Sequence, residues 1–371
     1  MNARPIRGDR VRYAVVGAGW ISQAALMPAV AGTGNSELVG LVSGDPEKAQ
    51  ALAARYALEH VWSYEQYGEM LASGAVDAIY LALPNDMHLA YAAPALEAGL
   101  HVLLEKPMAV SEGECRAIED AAEAGGGRLM IAYRLHFEPA TLEAIRIVRS
   151  GEIGDPRVFT STFSQHVAAA NHRATNGFWA GPVADMGPYP INAARNLFGS
   201  EPTEVWAIGS MNPDMPFDFD DTVSVTMRFP GQRLAQFTVS YGANTTGAYR
   251  MVGTAGDVFA EPGFGFGTPI RLKVTRGETK SEAEFPATDQ FGGELRYFSD
   301  CILQGRDPEP DGEEGRLDVR VIAAIERALA EGKPQLLAPA DRVRRPDPAQ
   351  VQTIAARRPP DLVRAFPPGE G

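Results

Sequence analysis

A charged pair stands at the end of a short apolar run in the first third of the chain. Residues 100–104 are apolar at four of five positions, which suits a short strand buried on both faces. Glu105, Lys106 and Pro107 follow it directly, and the proline biases the backbone of Lys106 away from helix, so the chain must turn there. Because ligands bind at the carboxyl ends of parallel strands, the pair is either part of a site or an ion pair that closes a loop.

A glycine turn near the N-terminus has the spacing of a dinucleotide-binding site. A strand candidate over residues 11–16 is followed at once by Gly17, Gly19 and Ser22, in the pattern G-x-G-x-x-S. Gly17 permits the tight turn, and Gly19 lets a pyrophosphate approach the backbone at the helix N-terminus. Ser22 replaces the third glycine of the usual fingerprint with another small residue. The placement between strand and helix favours a dinucleotide site over a plain glycine turn.

The end of the second predicted strand bears on the type of cofactor. An acidic residue there binds the ribose 2′-hydroxyl of NAD and repels the 2′-phosphate of NADP. Ser43 occupies the strand end, and Lys48 places positive charge one turn into the following helix. Asp45 is the rival, although a residue before a proline is also suited to cap that helix. We therefore expect NADP(H), with NAD(H) as the alternative.

The elements around these residues alternate between strand and helix. Further strands are predicted at residues 37–42, 75–83, 101–104 and 128–133, and helices at residues 22–31, 46–56, 86–98 and 111–124. Strands separated by helices of this length pair in parallel, with helices on both faces of the sheet. Residues 1–135 are therefore expected to form an α/β Rossmann domain with a doubly wound parallel sheet.

The pattern changes to β-rich runs joined by short turns after residue 138. Sequential strands with tight connections indicate an antiparallel sheet. Residues 136–339 are therefore expected to form an α+β domain with a large, mostly antiparallel open sheet. Residues 340–371 are rich in Pro and Arg and are expected to form an irregular C-terminal tail. Helices of this second part are predicted at residues 139–149, 294–303 and 315–329.

Composition and charge exclude several classes of function. The 371 residues are 45% hydrophobic and 22% charged, without an apolar run long enough to span a bilayer. A net charge of −13 argues against a general nucleic-acid binder. Cys115 and Cys301 lie far apart, and the histidines have no ligand spacing, so neither a disulfide framework nor a metal site is expected. The first ten residues lack an apolar signal core, which predicts the cytoplasm, with a removed export signal as the alternative.

Several motifs occur together in an order found in one known family. The glycine turn is followed by Pro-Asn-Asp-Met-His at residues 84–88 and by Ala-Gly-Leu-His-Val-Leu-Leu-Glu-Lys-Pro at residues 98–107. Further matching runs lie at residues 41–44, 130–134 and 312–320. In combination they resemble the glucose-fructose oxidoreductase/inositol dehydrogenase (Gfo/Idh/MocA) family, with the best agreement in the glucose-fructose oxidoreductase branch. The resemblance spans nearly the whole chain.

The resemblance places a catalytic group in the second domain. Many members carry Asp-x-Gly-x-His with the histidine as catalytic acid and base, and residues 185–189 read Asp-Met-Gly-Pro-Tyr here. Tyr189 thus stands where the histidine would be, which is similar to the glucose-fructose oxidoreductase branch and to dimeric dihydrodiol dehydrogenases. Two plainer interpretations stay open: Tyr189 as a packed surface aromatic, and Asp185 as the cap of a helix over residues 189–197.

These residue types suit oxidation of a sugar at its anomeric carbon. The reaction removes a hydride from C1 and a proton from its hydroxyl, and the protein must handle the proton. Free tyrosine has a pKa of about 10 and is a poor base at neutral pH, but a neighbouring ammonium lowers that pKa. Lys106 is the expected neighbour of Tyr189. Asp185 is expected to orient substrate hydroxyls or balance Lys106, and Glu105 to hold a cofactor ribose hydroxyl.

Taken with the resemblance, the expected function is an NADP(H)-dependent oxidoreductase that oxidises an aldose or related cyclic polyol at C1 to a lactone. Reduction of a second sugar carbonyl by the same bound cofactor is left open. The alternatives are a dihydrodiol- or xylose-type dehydrogenase with exchanging cofactor, and a non-catalytic NADP-binding, sugar-responsive regulator.

A homodimer or homotetramer through the second-domain sheet is expected, without a nucleic-acid or membrane partner. The expected catalytic residues are Lys106, Tyr189 and Asp185, and the expected cofactor contacts are Gly17, Gly19, Trp20, Ile21, Ser43, Lys48, Pro84, Asn85, His88, Glu105, Lys106 and Arg134.

Overall fold

A computed structural model describes residues 3–6 and 8–370, which fold into two compact units. The first unit combines the chain up to Arg134 with Asp289–Arg316 and Gln352–Pro367. The second combines Leu135–Thr288 and Leu317–Val351 with the residues from Pro368 onward. Residues 1, 2, 7 and 371 of the predicted first domain and tail lie outside the described residues.

A six-stranded parallel sheet forms the centre of the first unit. Its strands follow the order β3-β2-β1-β4-β5-β6. The order reverses between β1 and β4, and a crevice at this switch point is where doubly wound sheets bind ligands. The predicted Rossmann fold is confirmed. The strands are β1 (Val11–Val16), β2 (Ser36–Val42), β3 (His60–Trp62), β4 (Ala78–Leu81), β5 (His101–Leu104) and β6 (Leu129–Ile131).

Helices connect these strands, and side chains at their first turns explain where some of them begin. Ser111 accepts a hydrogen bond from the Glu114 amide and caps one helix, while Asp45 caps another with Pro46 as its first residue. The helical residues after the glycine turn begin as a π-helix, because Pro28 has no N–H for the carbonyl four residues earlier. The helical segments are Ser22–Leu26, Met27–Ala29, Val30–Gly32, Pro46–Tyr56, Tyr67–Ala72, Asn85–Met87, His88–Glu97, Glu112–Gly125 and Gln290–Gln304.

The second unit is built on a nine-stranded sheet in the order β14-β13-β12-β11-β7-β10-β9-β8-β15. Its pairs are antiparallel except β7 with β10, so the predicted mostly antiparallel sheet is confirmed. The strands are β7 (Pro156–Ser164), β8 (Glu204–Ser210), β9 (Thr222–Phe229), β10 (Arg233–Ser240), β11 (Thr246–Gly253), β12 (Gly256–Glu261), β13 (Ile270–Arg276), β14 (Thr279–Phe285) and β15 (Gln335–Leu336).

Helices cover one face of this nine-stranded sheet. Pro139–Arg149 contacts β12 and β13, and Pro188–Phe198 contacts β7. Strand side chains alternate between this buried face and the opposite, more exposed one, as a half-covered sheet requires. The remaining helical segments are Arg134–Phe137, His172–Thr175, Phe178–Ala180, Pro182–Asp185, Gly312–Glu331 and Pro348–Gln350.

The two units are discontinuous in sequence, which differs from the continuous ranges expected above. Helix Gln290–Gln304 belongs to the first unit, because Leu295 and Phe298 are fully buried and Ser299 Oγ lies 2.9 Å from the Tyr13 hydroxyl of β1. The helical spacing of its apolar residues predicts that such a helix exists, but it does not indicate which of the two sheets the helix covers. Within the described part of the chain, no helix has the length and apolarity that a membrane crossing requires.

Candidate active site

The glycine turn between β1 and the first helix has the shape of a pyrophosphate cradle. Gly17 has a φ of +98°, and a Cβ there would lie 2.4 Å from the Ala82 carbonyl oxygen, so only glycine fits. A Cβ on Gly19 would meet no atom within 4 Å, which leaves the backbone open to a ligand. The Ser22 hydroxyl donates to the Gly17 carbonyl at 2.6 Å and holds the turn. The residues present therefore fit a dinucleotide. Two other residues of the turn are half-buried: Trp20 and Ile21.

The residues at the end of β2 are tied to one another. Ser43 is buried, and its hydroxyl accepts a hydrogen bond from the Asp45 amide at 3.2 Å. Asp45 Oδ1 accepts from the Lys48 amide at 3.1 Å, so Asp45 caps helix Pro46–Tyr56 as one of its two interpretations predicts. The Lys48 side chain is half-buried one turn into that helix. The predicted ribose end of the site is thus a short, internally bonded loop.

The turn after β4 carries three predicted contacts. Pro84 is exposed and Asn85 half-buried, whereas His88 is fully buried. His88 Nδ1 lies 3.0 Å from the Pro107 carbonyl oxygen, and Nε2 lies 3.0 Å from that of Leu83. Burial lowers the pKa of His88, and the contacts with these carbonyls oppose that fall. His88 therefore connects the loop after β4 to the loop that carries Lys106.

Glu105 and Lys106 lie at the carboxyl end of β5, whose four residues are buried on both faces as predicted. Both side chains are half-buried. Glu105 Oε1 accepts from the Tyr80 hydroxyl at 2.5 Å, and Oε2 accepts from the Lys106 amide at 3.2 Å. Burial raises the pKa of Glu105, and the Lys106 charge and the Tyr80 hydroxyl oppose this rise. The contact of Tyr80 with Glu105 is not predicted by the sequence, because Tyr80 looks like one more apolar residue of a buried strand.

Arg134 and helix Gln290–Gln304 bring further polar groups into the first unit. Arg134 is buried, and its guanidinium donates to the Gln290 side-chain oxygen. Glu294 is fully buried, and neither of its carboxylate oxygens accepts a hydrogen bond from the described residues. Burial, and next the Glu105 carboxylate, raise the pKa of Glu294 well above its usual range, while Arg134 opposes them. Sequence offers no signal for Glu294, since an acidic residue in a helical segment is ordinary.

Tyr189 lies at the second position of helix Pro188–Phe198 in the second unit and is half-buried. Its ring meets that of Phe163 edge-on with 5.3 Å between centroids, and Phe264 lies 5.9 Å away. Two aromatic contacts hold the ring in place, in the geometry that aromatic pairs prefer. This packing agrees with the plain interpretation of Tyr189, and it would orient the ring equally well for a catalytic role.

Asp185 is held by side chains from the sheet of the same unit. Its Oδ2 lies 3.0 Å from the Tyr241 hydroxyl, 3.3 Å from Gln165 Nε2 and 3.5 Å from Arg173 Nε. Burial and then the Asp185 carboxylate raise the pKa of Tyr241, which stays a hydroxyl. The idea that Asp185 caps the next helix is wrong, because helix Pro188–Phe198 has Gly187 as its N-cap residue and no side-chain cap, and the Asp185 carboxylate accepts from Tyr241 and Gln165 instead.

The predicted residues are divided between the two units. Glu105 and Lys106 share one loop of the first unit, whereas Asp185 ends helix Pro182–Asp185 and Tyr189 lies near the start of helix Pro188–Phe198 in the second. The approach of Lys106 to Tyr189 stays a prediction. In the described part of the chain, no group of three or more His, Cys, Asp or Glu side chains could hold a metal ion.

The fold and the glycine cradle together define a two-domain, dinucleotide-binding protein of the oxidoreductase class. The family described as "Oxidoreductase family, NAD-binding Rossmann fold" matches residues 11–133, and the "GFO/IDH/MocA C-terminal domain" matches residues 141–259. The chain belongs to this GFO/IDH/MocA oxidoreductase family, which confirms the resemblance seen in the sequence motifs.

Three proteins with known names are similar to this chain over most of its length. D-xylose 1-dehydrogenase [NADP(+)] of Haloarcula marismortui is 32% identical over 326 residues, covering 86% of this chain and 91% of that protein. Trans-1,2-dihydrobenzene-1,2-diol dehydrogenase of Bos taurus is 30% identical over 343 residues, covering 88% and 98%. The crystal structure of aldose-aldose oxidoreductase from Caulobacter crescentus, complexed with glycerol, is 33% identical with a TM-score of 0.83, covering 88% and 100%.

Proposed function

We propose that this protein is an NADP(H)-dependent oxidoreductase that oxidises an aldose, or a related cyclic polyol, at C1 to a lactone. The observation that carries the proposal is the placement of Lys106 at the carboxyl end of buried β5, beside a Glu105 carboxylate held by Tyr80. Similar proteins named as an NADP-dependent xylose dehydrogenase and an aldose-aldose oxidoreductase support the substrate class and the cofactor.

The chain's own residues must manage the proton of the C1 hydroxyl. When bound, the nicotinamide accepts the hydride that leaves C1. Tyr189 takes the hydroxyl proton, and the Lys106 ammonium favours the phenolate form that makes tyrosine a competent base. Asp185, held by Tyr241 and Arg173, accepts hydrogen bonds from neighbouring sugar hydroxyls and fixes the ring. General base assistance of this kind contributes about 10²- to 10⁴-fold in rate.

The cofactor is bound by the first unit. Gly17 and Gly19 receive the pyrophosphate at the glycine turn, and Glu105 accepts a hydrogen bond from a ribose hydroxyl. Ser43 and Lys48 at the end of β2 favour a 2′-phosphate, and so NADP(H) over NAD(H). A bound cofactor that is not released between turnovers would also reduce a second sugar carbonyl.

The proposal is tested with Lys106→Ala and Tyr189→Phe. Each is expected to lower kcat for aldose oxidation at least ~100-fold while leaving the Kd for NADP within a few-fold, because the proton transfer depends on both groups whereas cofactor binding is shared among many other contacts. The matched control is Lys273→Ala, which removes an exposed lysine from β13. Near-normal turnover in both variants would contradict the assignment.

A second candidate is a dihydrodiol- or xylose-type dehydrogenase with freely exchanging cofactor, which the names of two similar proteins favour. Incubation of the purified protein with aldoses, and separately with a trans-dihydrodiol, while following the absorbance of reduced nicotinamide separates the candidates. Reduced nicotinamide that appears only with the dihydrodiol supports a dihydrodiol-type dehydrogenase, and reduced nicotinamide that accumulates with an aldose to many times the protein concentration supports a xylose-type dehydrogenase with exchanging cofactor. If no reduced nicotinamide forms with either substrate, the result supports a non-catalytic regulator. The presence of both Lys106 and Tyr189 disfavours that outcome.

A further inference from the structure

Residues 352–367, which we call the C-terminal strap, pack against the glycine turn of the first unit. Gln23, fully buried in the helix after the turn, donates from Nε2 to the Val363 carbonyl at 3.0 Å and accepts from the Val363 amide at 2.7 Å. The same Nε2 lies 2.9 Å from the carbonyl of Ala18, inside the turn. One buried amide therefore fixes the strap to the segment that receives the pyrophosphate.

The next residue of the strap, Arg364, reaches the end of β2. Its Nε lies 3.1 Å from Asp45 Oδ2, and its Nη1 lies 2.5 Å from Glu47 Oε2. Its φ of +47° is in the left-handed region, which a residue with a side chain adopts only when its surroundings enforce it. The side chain is still 57% exposed, so a ligand at this loop can reach the guanidinium.

This position matters because the adenosine ribose of a dinucleotide binds at the end of the second strand. An unpaired Asp45 carboxylate there would accept the ribose 2′-hydroxyl of NAD and repel the 2′-phosphate of NADP. Pairing with Arg364 offsets that charge, and the Arg364 and Lys48 charges together balance the carboxylates of Asp45 and Glu47. A guanidinium has five N–H donors in a planar fork, more than the two acidic partners use, and this fork matches phosphate oxygens.

We propose that Arg364 is the residue that selects NADP over NAD, by offsetting the charge of Asp45 and donating to the 2′-phosphate. This inference rests on the proposed NADP(H) dependence and adds to it a specificity residue from the far end of the chain. Lys48, one turn into helix Pro46–Tyr56, supplies the second positive charge. The strap thus positions the Arg364 guanidinium at the end of β2.

The test is a binding measurement that needs no turnover. We expect Arg364→Ala to raise the Kd of the full chain for NADP⁺ at least about tenfold, as loss of a charge-assisted hydrogen bond predicts. The Kd for NAD⁺ should stay unchanged or fall, because Asp45 is then available to the ribose hydroxyl. Adenosine 2′,5′-bisphosphate should lose affinity like NADP⁺, whereas ADP should not. Arg364→Lys should keep part of the preference.

The control is Arg357→Ala on the same strap, where the guanidinium donates to the Pro28 carbonyl at 3.2 Å. Equal weakening of both cofactors by both variants would mean that the strap only supports the fold, and would overturn the inference. Retained NADP preference in Arg364→Ala would overturn it as well. A wild-type chain that prefers NAD⁺, in contrast, contradicts the proposed cofactor. Circular dichroism melting of each variant shows whether it is folded.

Discussion

Glu105 and Glu294 are two carboxyl groups of the first unit that differ in the hydrogen bonds they accept. Glu105 accepts hydrogen bonds from the Tyr80 hydroxyl and the Lys106 amide. Glu294 is fully buried, and the described residues donate nothing to its oxygens. Burial is the main cause that raises the pKa of both groups, and the charge of Glu105 further raises the pKa of Glu294. A charge on Glu294 therefore carries a desolvation cost that no hydrogen bond from the described residues offsets and that the Arg134 charge reduces only in part.

We expect Glu294→Gln to stabilise the protein at neutral pH relative to acidic pH. The folded state keeps Glu294 protonated above the pH at which the unfolded chain releases that proton, at about 4.3, so wild-type stability falls as pH rises from there toward the raised pKa. A glutamine has no such proton to lose. The Tm difference between variant and wild type should grow by at least about 2 °C from pH 4.5 to pH 7.5.

Thermal melts by circular dichroism across this pH range measure the effect. Glu97→Gln serves as the control, because it makes the same change at an exposed position of helix His88–Glu97. A Tm difference for Glu294→Gln that does not change with pH would show that the carboxyl ionises freely in the folded state.

Sequence motifs predict those candidate site residues that lie at element ends. Lys106 was found because a proline follows it at the end of an apolar strand, and Tyr189 because its motif matches a family. Tyr80, Glu294 and Arg364 were not found, since each reaches the site by packing between segments distant in sequence. No local pattern encodes such contacts, whereas strand ends and turns are local.

The glycine turn allows its two glycines to be separated by experiment. A Cβ on Gly17 meets the Ala82 carbonyl oxygen at 2.4 Å, but a Cβ on Gly19 meets nothing within 4 Å. We expect Gly17→Ala to destabilise the folded protein by about 1–3 kcal/mol, because it adds this clash to an unfavourable φ. Gly19→Ala should leave the free protein's stability unchanged and raise the Kd for NADP about tenfold, because the added methyl occupies the pyrophosphate position.

Urea denaturation of the cofactor-free protein and NADP titration measure the two effects, with each variant as the control for the other. Equal loss of stability in both variants would contradict the prediction, because it would show that the fold itself requires glycine at both positions.

Elements with clear end signals were predicted closely, and weakly patterned elements were missed. Helix Pro46–Tyr56 matches its predicted bounds because Asp45 and Pro46 mark its start. Strand β5 matches because four buried apolar residues end at a charge. Strand β14 carries little sequence signal because its residues are mostly polar and almost all exposed, as is usual at a sheet edge. Strand β3 was missed because it has only three residues.

The uncovered face of the nine-stranded sheet supports the proposed assembly of the protein. Val252, Val158 and Leu234 stand side by side across β11, β7 and β10, each more than a third exposed. On β8 of the same sheet, Trp206 is 50% and Ile208 73% exposed. Exposed apolar rows of this kind mark interaction surfaces. A second copy of the chain on this face is the assembly we propose, as a homodimer or as half of a homotetramer.

Ile208→Glu is expected to weaken this association at least about tenfold, because it would bury a charge in the proposed interface. Sedimentation equilibrium of the cofactor-free protein measures the assembled fraction. Val343→Glu is the control, since Val343 is 91% exposed but lies outside the sheet strands. An unchanged mass for Ile208→Glu, or a monomeric wild type, would place the interface elsewhere or remove it.

The contact of Tyr13 with Ser299 has a consequence for the order in which the protein is made. The two residues are 286 positions apart, and the strap that closes the same unit is made later still. At about 5–20 residues per second, a ribosome needs tens of seconds to supply the helix that covers β1. The first strands to emerge are thus among the last to be covered. Until then the growing chain exposes apolar sheet surface, and chaperones that hold nascent chains have their longest opportunity at the N-terminal end.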